Sequence, residues 1–216
     1  MSIPDPDRRL PVWALDVFTD ASGGGFGADG LRTGRGIGAV AGNWWSYLPW
    51  SRVVCAGPVM EDGRRLNRKM SALELVGPLL VVASGFHMCK NRPVRIWVDN
   101  AGSVGIWRKG YSTNCALSTT IVKATAALAA ALGCSLDIVK ITRCSNPGAD
   151  MADALSKADF HRFWSLNHAA GFHCLEEQAW VPLALRRWLE FPVPDEALAD
   201  RLLVEIGQRA LLLHRL

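Results

Sequence analysis

A chain of 216 residues suits one ordinary domain, or one domain with a sizeable appendage. Half of its residues are apolar and a fifth charged, which excludes a disordered chain, and a formal charge of +4 is too mild to argue for a partner by itself. Six cysteines with no CxxC pair and no zinc-finger histidine spacing, after a start that lacks signal-peptide form, make reduced intracellular thiols the simplest reading.

In chain order, residues 1–12 (MSIPDPDRRLPV) are polar, carry three prolines and are expected to be a linker or arm. Trp13 to Thr19 is an apolar run that predicts a buried strand ending at Asp20. A glycine-dense stretch from Gly23 follows, and GIGAVAG at 36–42 predicts a second strand. A third is expected at Arg52–Ala56, so that short links make the three an antiparallel meander.

The pattern then becomes helical from about Asn67 to Phe86, with a kink expected at Pro78. This stretch holds the most apolar part of the chain, yet Glu74 and Pro78 interrupt it and it is too short to span a bilayer. A soluble protein of the cytoplasm or nucleus is expected, with no membrane partner and no organic cofactor. Val94–Val98 predicts a strand closed by Asp99, Ala101–Arg108 a short helix stopped by Gly110, and Ser118–Leu132 an alanine-rich helix ended by Gly133. Leu136–Thr142 predicts a fifth strand, and Ala149–Ala158 a helix after the Asn146-Pro147-Gly148 turn. The fold class expected is α/β, a five-stranded mixed sheet flanked by helices, over residues 13–159. Residues 160–216 are expected to be a helix-rich extension broken at Pro182, Pro192 and Pro194.

Gly25-Phe26-Gly27-Ala28-Asp29-Gly30 matches the spacing of a dinucleotide-binding loop. That chemistry needs the third glycine to open a helix, and an acid about 20 residues on. Here LRTGRGIG follows, and no acid occurs between Asp29 and Glu61. The glycines therefore read as a hairpin loop.

Asp20 and Asp99 are the more informative residues, because each ends an apolar strand (DVFTD and RIWVD). If those strands are adjacent and parallel, both carboxylates meet at one end of the sheet, where like charges call for a cation. Glu74, near the start of the first long helix, and Asp153, early in the last, would reach the same place. Four carboxylates around one cleft make a hard oxygen site for Mg²⁺ or Mn²⁺. Two such ions roughly 4 Å apart support phosphodiester hydrolysis. Each residue also has an ordinary reading. Asp20 and Asp99 suit strand-end turns, Ser71-Ala72-Leu73-Glu74 matches a capping box, and Asp153 suits a helix dipole.

Taken together, VFTDAS (17–22), MSALELVG (70–77), VRIWVDNAGSVGIWRKGYS (94–112) and NPGADMADALSK (146–157) resemble the ribonuclease H family. The likeness is strongest to the ribonuclease H domains of retroelement reverse transcriptases, of the tyrosine-recombinase (DIRS-like) or LTR type. It runs from about Leu15 to Lys157. The resemblance implies a catalytic metal site of Asp20, Glu74, Asp99 and Asp153 holding two Mg²⁺ or Mn²⁺ ions. It also implies cleavage of the RNA strand of an RNA–DNA hybrid, leaving a 3′-hydroxyl and a 5′-phosphate, and a polymerase domain as a partner.

Three features depart from the family. The loop ITRCSNPGAD lacks the histidine found there in the cellular enzymes, Pro78 lies one turn after Glu74, and Asp150 competes with Asp153 as the fourth ligand. Substrate contacts are expected from Ser22 and Asn100 beside the metal site, and from Arg108, Lys109 and Tyr111 on DNA-strand phosphates. The arginines at 64, 65 and 68, with Lys69, are a weaker basic candidate. Two other functions fit the same residues: a DNA-directed nuclease of the resolvase or integrase kind, and a catalytically silent nucleic-acid-binding or structural domain.

Overall fold

The computed structural model describes residues 15–23, 35–56, 69–142, 146–175, 178–190 and 192–213. Its sheet has five strands: β1 (Leu15–Ala21), β2 (Gly36–Ala41), β3 (Trp44–Pro49), β4 (Pro93–Val98) and β5 (Ser135–Lys140). They lie in the order β3-β2-β1-β4-β5. The first three run antiparallel, and β4 and β5 run parallel to β1. The expected mixed sheet is therefore present, and the two strands that carry Asp20 and Asp99 are parallel neighbours. Trp13, the arm at 1–12, the glycine loop at 24–34, and the arginines at 64, 65 and 68 lie outside the described residues.

The third strand is not where the sequence reading put it. Arg52–Ala56 is a short helix, α1, and the strand is Trp44–Pro49. The reason is burial on both faces. Trp44 and Leu48 pack into the core on one side of the sheet while Trp45 and Tyr47 pack into the core on the other, so no polar alternation marks the strand. The cue was the Gly42-Asn43 pair: Ala41 faces Trp44 across a two-residue hairpin, with Gly42 at φ 55°.

Eight further helices are described: α2 (Met70–Ser84), α3 (Phe86–Cys89), α4 (Ala101–Lys109), α5 (Ala116–Ala131), α6 (Pro147–Ser156), α7 (Phe160–Ala170), α8 (Leu183–Glu190) and α9 (Leu198–Leu213). None is long and apolar enough to cross a membrane. Pro78 has no N–H for the Glu74 carbonyl, so the helical ladder skips one rung there, yet α2 continues to Ser84. Packing compensates, since every residue from Ala72 to Ser84 is buried.

The sheet carries a core on each face. Side chains of α2 and α5 meet Val17, Ile37, Ile96 and Ile138 on one side. On the other, Met151 and Leu155 of α6 meet Phe18, Val40 and Tyr47. Glycine sets how closely the helices approach. A Cβ on Gly38 of β2 would lie 2.5 Å from the Leu155 Cβ and 2.7 Å from the Ala152 carbonyl oxygen. One on Gly77 of α2 would lie 2.7 Å from Thr19 Oγ1 on β1. Gly38→Ala should therefore overpack the α6–β2 contact and cost about 1–3 kcal/mol. The calorimetric melting temperature should fall by about 2–4 °C for each kcal/mol lost. An unchanged melting temperature would mean that α6 does not sit this close.

Residues beyond 159 share both cores. Phe163 of α7 is fully buried against α6 and the sheet, while Leu185, Trp188, Leu198 and Leu202 join the core of α2 and α5. The chain also covers the free edge of β3. The Leu175 N–H donates to the Asn43 carbonyl and the Ala179 N–H to the Trp45 carbonyl, each at 3.0 Å. Trp45 Nε1 donates to the Leu175 carbonyl at 2.7 Å, and Gln178 Nε2 donates to the Tyr47 carbonyl. An edge strand satisfied in this way is no longer a template for pairing with other chains.

Candidate metal centre

Strand register brings the first two carboxylates together. In the parallel β1–β4 pair Phe18 faces Trp97, and two residues further along the same register Asp20 comes beside Asp99. Asp20 is 4% exposed and Asp99 is partly buried just past the end of β4. The third carboxylate comes from α2. Glu74 is 1% exposed, and its Oε1 accepts the Ala21 N–H at 3.3 Å, which ties α2 to the end of β1. Oxygens of Asp20, Glu74 and Asp99 lie within 4.8 Å of one another.

The capping-box reading of Glu74 does not hold. The cap residue of α2 is Lys69, with no side-chain cap bond, and Ser71 lies inside the helix. Ser71 works elsewhere: its Oγ donates to Asn100 Oδ1 at 3.2 Å, while Ser103 Oγ donates to the Ser71 carbonyl at 3.1 Å. Asn100 is the cap of α4, its Oδ1 accepting from the Gly102 and Ser103 amides at 2.8 and 3.2 Å. This bridge holds the start of α4, and so Asp99, against the start of α2. A sequence reading had no means of finding Ser71 in this role, because its partner lies 29 residues away.

Asp153 is placed differently. It is 5% exposed on α6 and is not a member of the trio. Lys157 Nζ lies 2.7 Å from its carboxylate, and Arg162 Nη1 of α7 lies 3.2 Å from Oδ2. Arg162 also reaches Asp150, with Nη2 3.6 Å from Oδ1. The link from α6 to the trio is Ser156, a fully buried hydroxyl that donates to Asp20 Oδ2 at 2.5 Å. Its Oγ is also 2.9 Å from the Asp153 carbonyl. Ser156 and Lys157 both stood inside the NPGADMADALSK segment, but Arg162 lies past the end of it.

No protein-family model matches the chain, and no curated protein or solved structure does so either.

The remaining candidates fall into two places. Ser22 follows β1 directly and is 8% exposed; its amide donates to the Gly36 carbonyl at 3.0 Å and its carbonyl accepts Trp50 Nε1 at 2.8 Å. With Asn100 it flanks the carboxylates. Arg108 and Lys109 end α4, and Gly110, at φ 77°, turns the chain into Tyr111, which is 51% exposed. Nine residues of helix set this exposed corner roughly 13 Å along the axis from Asp99. Trp107 is half-buried and packs against the core, so it is not part of that corner's open surface.

The donor set suits a hard divalent cation. It is all oxygen, comes from three separate segments, and includes two carboxylates more than nine-tenths buried. Mg²⁺ and Mn²⁺ match oxygen-only ligands, whereas zinc or copper would call for nitrogen or sulfur.

Proposed function

We propose that this chain is a divalent-metal-dependent nuclease with a ribonuclease H-like fold that hydrolyses the RNA strand of RNA–DNA hybrids. The observation that carries the reading is the meeting of Asp20, Glu74 and Asp99 within 4.8 Å at the carboxyl end of two adjacent parallel strands. The β3-β2-β1-β4-β5 sheet with helices on both faces supports it, as do the four segments that resemble the family.

Asp20, Glu74 and Asp99 would hold Mg²⁺ or Mn²⁺, with Asp153 the candidate that brings a second ion. Bound ions supply Lewis-acid polarisation of the scissile phosphate and lower the pKa of a water. The chain's own part is positional. Ser156 holds the Asp20 carboxylate through Oδ2, the Ala21 amide fixes Glu74, and the Asn100–Ser71 bridge fixes the segment after β4. In hydrolysis the oxygen of water joins phosphorus as the P–O3′ bond breaks, giving a 5′-phosphate and a 3′-hydroxyl. Arg108, Lys109 and Tyr111 stand far enough from the carboxylates to meet backbone of the DNA strand while the RNA strand lies over Ser22 and Asn100.

A second reading has an observation of its own. Lys157 and Arg162 compensate the Asp153 charge from within the protein, which also suits a silent domain that binds nucleic acid or braces a reverse-transcriptase polymerase. Incubating a hybrid labelled on either strand with Mg²⁺ or Mn²⁺ separates the two. Cleavage of RNA alone, lost in Asp99→Asn, is expected. Binding without cleavage under both metals would favour the silent domain, and cleavage of duplex DNA would favour a resolvase-like nuclease.

A further inference from the structure

Asp153, the fourth carboxylate expected from the sequence, is not in the trio, and Lys157 and Arg162 pair with it. Asp153 is nearly buried, so its charge has to be compensated inside the protein. Lys157 does this from the next turn of α6 and Arg162 does it from α7. Arg162 is itself anchored at a second point by Asp150, so the guanidinium joins two acids on one helix face to a helix beyond it. Each cation adds a positive charge beside the Asp153 carboxylate that an incoming metal ion has to displace.

We propose that Lys157 and Arg162 are positioning residues that hold Asp153 apart from the trio. The centre then binds one divalent ion at Asp20, Glu74 and Asp99, and a second only as the ion pairs on Asp153 open. This rests on the metal-centre reading above. Two consequences follow. The first ion responds little to Arg162, because that guanidinium pairs with Asp150 and Asp153, outside the trio. The second competes with two resident cations for the same carboxylate, so removing either raises its affinity. The helix α7 is thereby coupled to the occupancy of a site to which it contributes no ligand.

The test is a Mn²⁺ titration of the full chain, followed by calorimetry and by electron paramagnetic resonance of the free ion. Wild type should show one strong and one weak site. Arg162→Gln and Lys157→Gln should each tighten the weak site by about fivefold and leave the strong one unchanged, while Arg162→Lys should stay within about twofold of wild type. A weak site that does not tighten in either glutamine variant overturns the proposal, as does a wild-type protein that binds two ions with equal strength. Glu74→Gln separates this from failure of the metal centre itself. If that variant keeps the strong site, the trio is not the ligand set and both ideas fall. If it loses the strong site while the Arg162 and Lys157 variants match wild type, only the positioning role falls. Melting curves confirm folding of each variant, and Lys157→Gln keeps the test open should Arg162→Gln fail to fold.

Discussion

Replacing Glu74 by glutamine is expected to abolish RNA-strand cleavage and, at the same time, to raise the melting temperature of the metal-free protein. Glutamine keeps the shape and keeps an oxygen for the Ala21 amide, so the link between β1 and α2 survives. What changes is the charge. Carboxylates within 4.8 Å of one another repel by roughly 3 kcal/mol per pair at an effective dielectric of about 20. Relief of even about 1 kcal/mol of this should raise the midpoint by about 2–4 °C. Catalysis should fall by a factor of about a thousand or more, equivalent to about 4 kcal/mol of barrier, because the cation loses a charged ligand. Mg²⁺ should then stabilise wild type against heat and leave Glu74→Gln nearly unmoved, since only a ligand that binds the folded state shifts its melting. Scanning calorimetry with and without Mg²⁺, beside the cleavage assay, reads all three effects. A variant that melts lower than wild type and still cleaves would show that Glu74 is a structural acid.

The second large effect lies far from the carboxylates. Phe163 of α7 is completely buried, with its ring 5.3 Å from that of Trp45 and 4.9 Å from that of Trp164. Trp45 stands on β3, the edge strand, so Phe163 joins the helix after the last candidate ligand to the outermost strand of the sheet. Phe163→Ala should cost about 3–5 kcal/mol, from lost burial and the cavity left behind. That is a large share of the stability of an ordinary domain, about 5–15 kcal/mol. Urea unfolding should show a lower midpoint with an unchanged slope. A loss under about 1 kcal/mol would mean that α7 is a detachable appendage. The same packing predicts why Arg162 can act on Asp153: one face of α7 is fixed by Phe163, which leaves the arginine no freedom to swing the helix away.

Much of the site was readable before any fold. Asp20 and Asp99 each close an apolar run, and a side-chain period of two on parallel neighbours carries both acids to one end of the sheet. Helix ends at Gly110 and Gly133 were equally plain, because glycine at positive φ stops a helix by a local rule. The third strand escaped because β3 is buried on both faces, and a strand with two apolar faces has no alternation to detect. The capping box at Ser71 misled for a related reason. Its pattern is local, but Ser71 lies inside α2 and its hydroxyl goes to Asn100, far along the chain.

The chain by itself determined which carboxylates are candidates for a divalent cation and which strands and helices carry them, since those follow from residue chemistry and short-range periodicity. Only the tertiary structure decided which acids meet. It set Glu74 beside Asp20 through the Ala21 amide, and it gave Asp153 to Lys157 and Arg162 instead. Spacing along a sequence fixes the face a side chain takes on its own element. Its partners depend on how elements pack, and a buried carboxylate is settled by whichever cation that packing brings nearest.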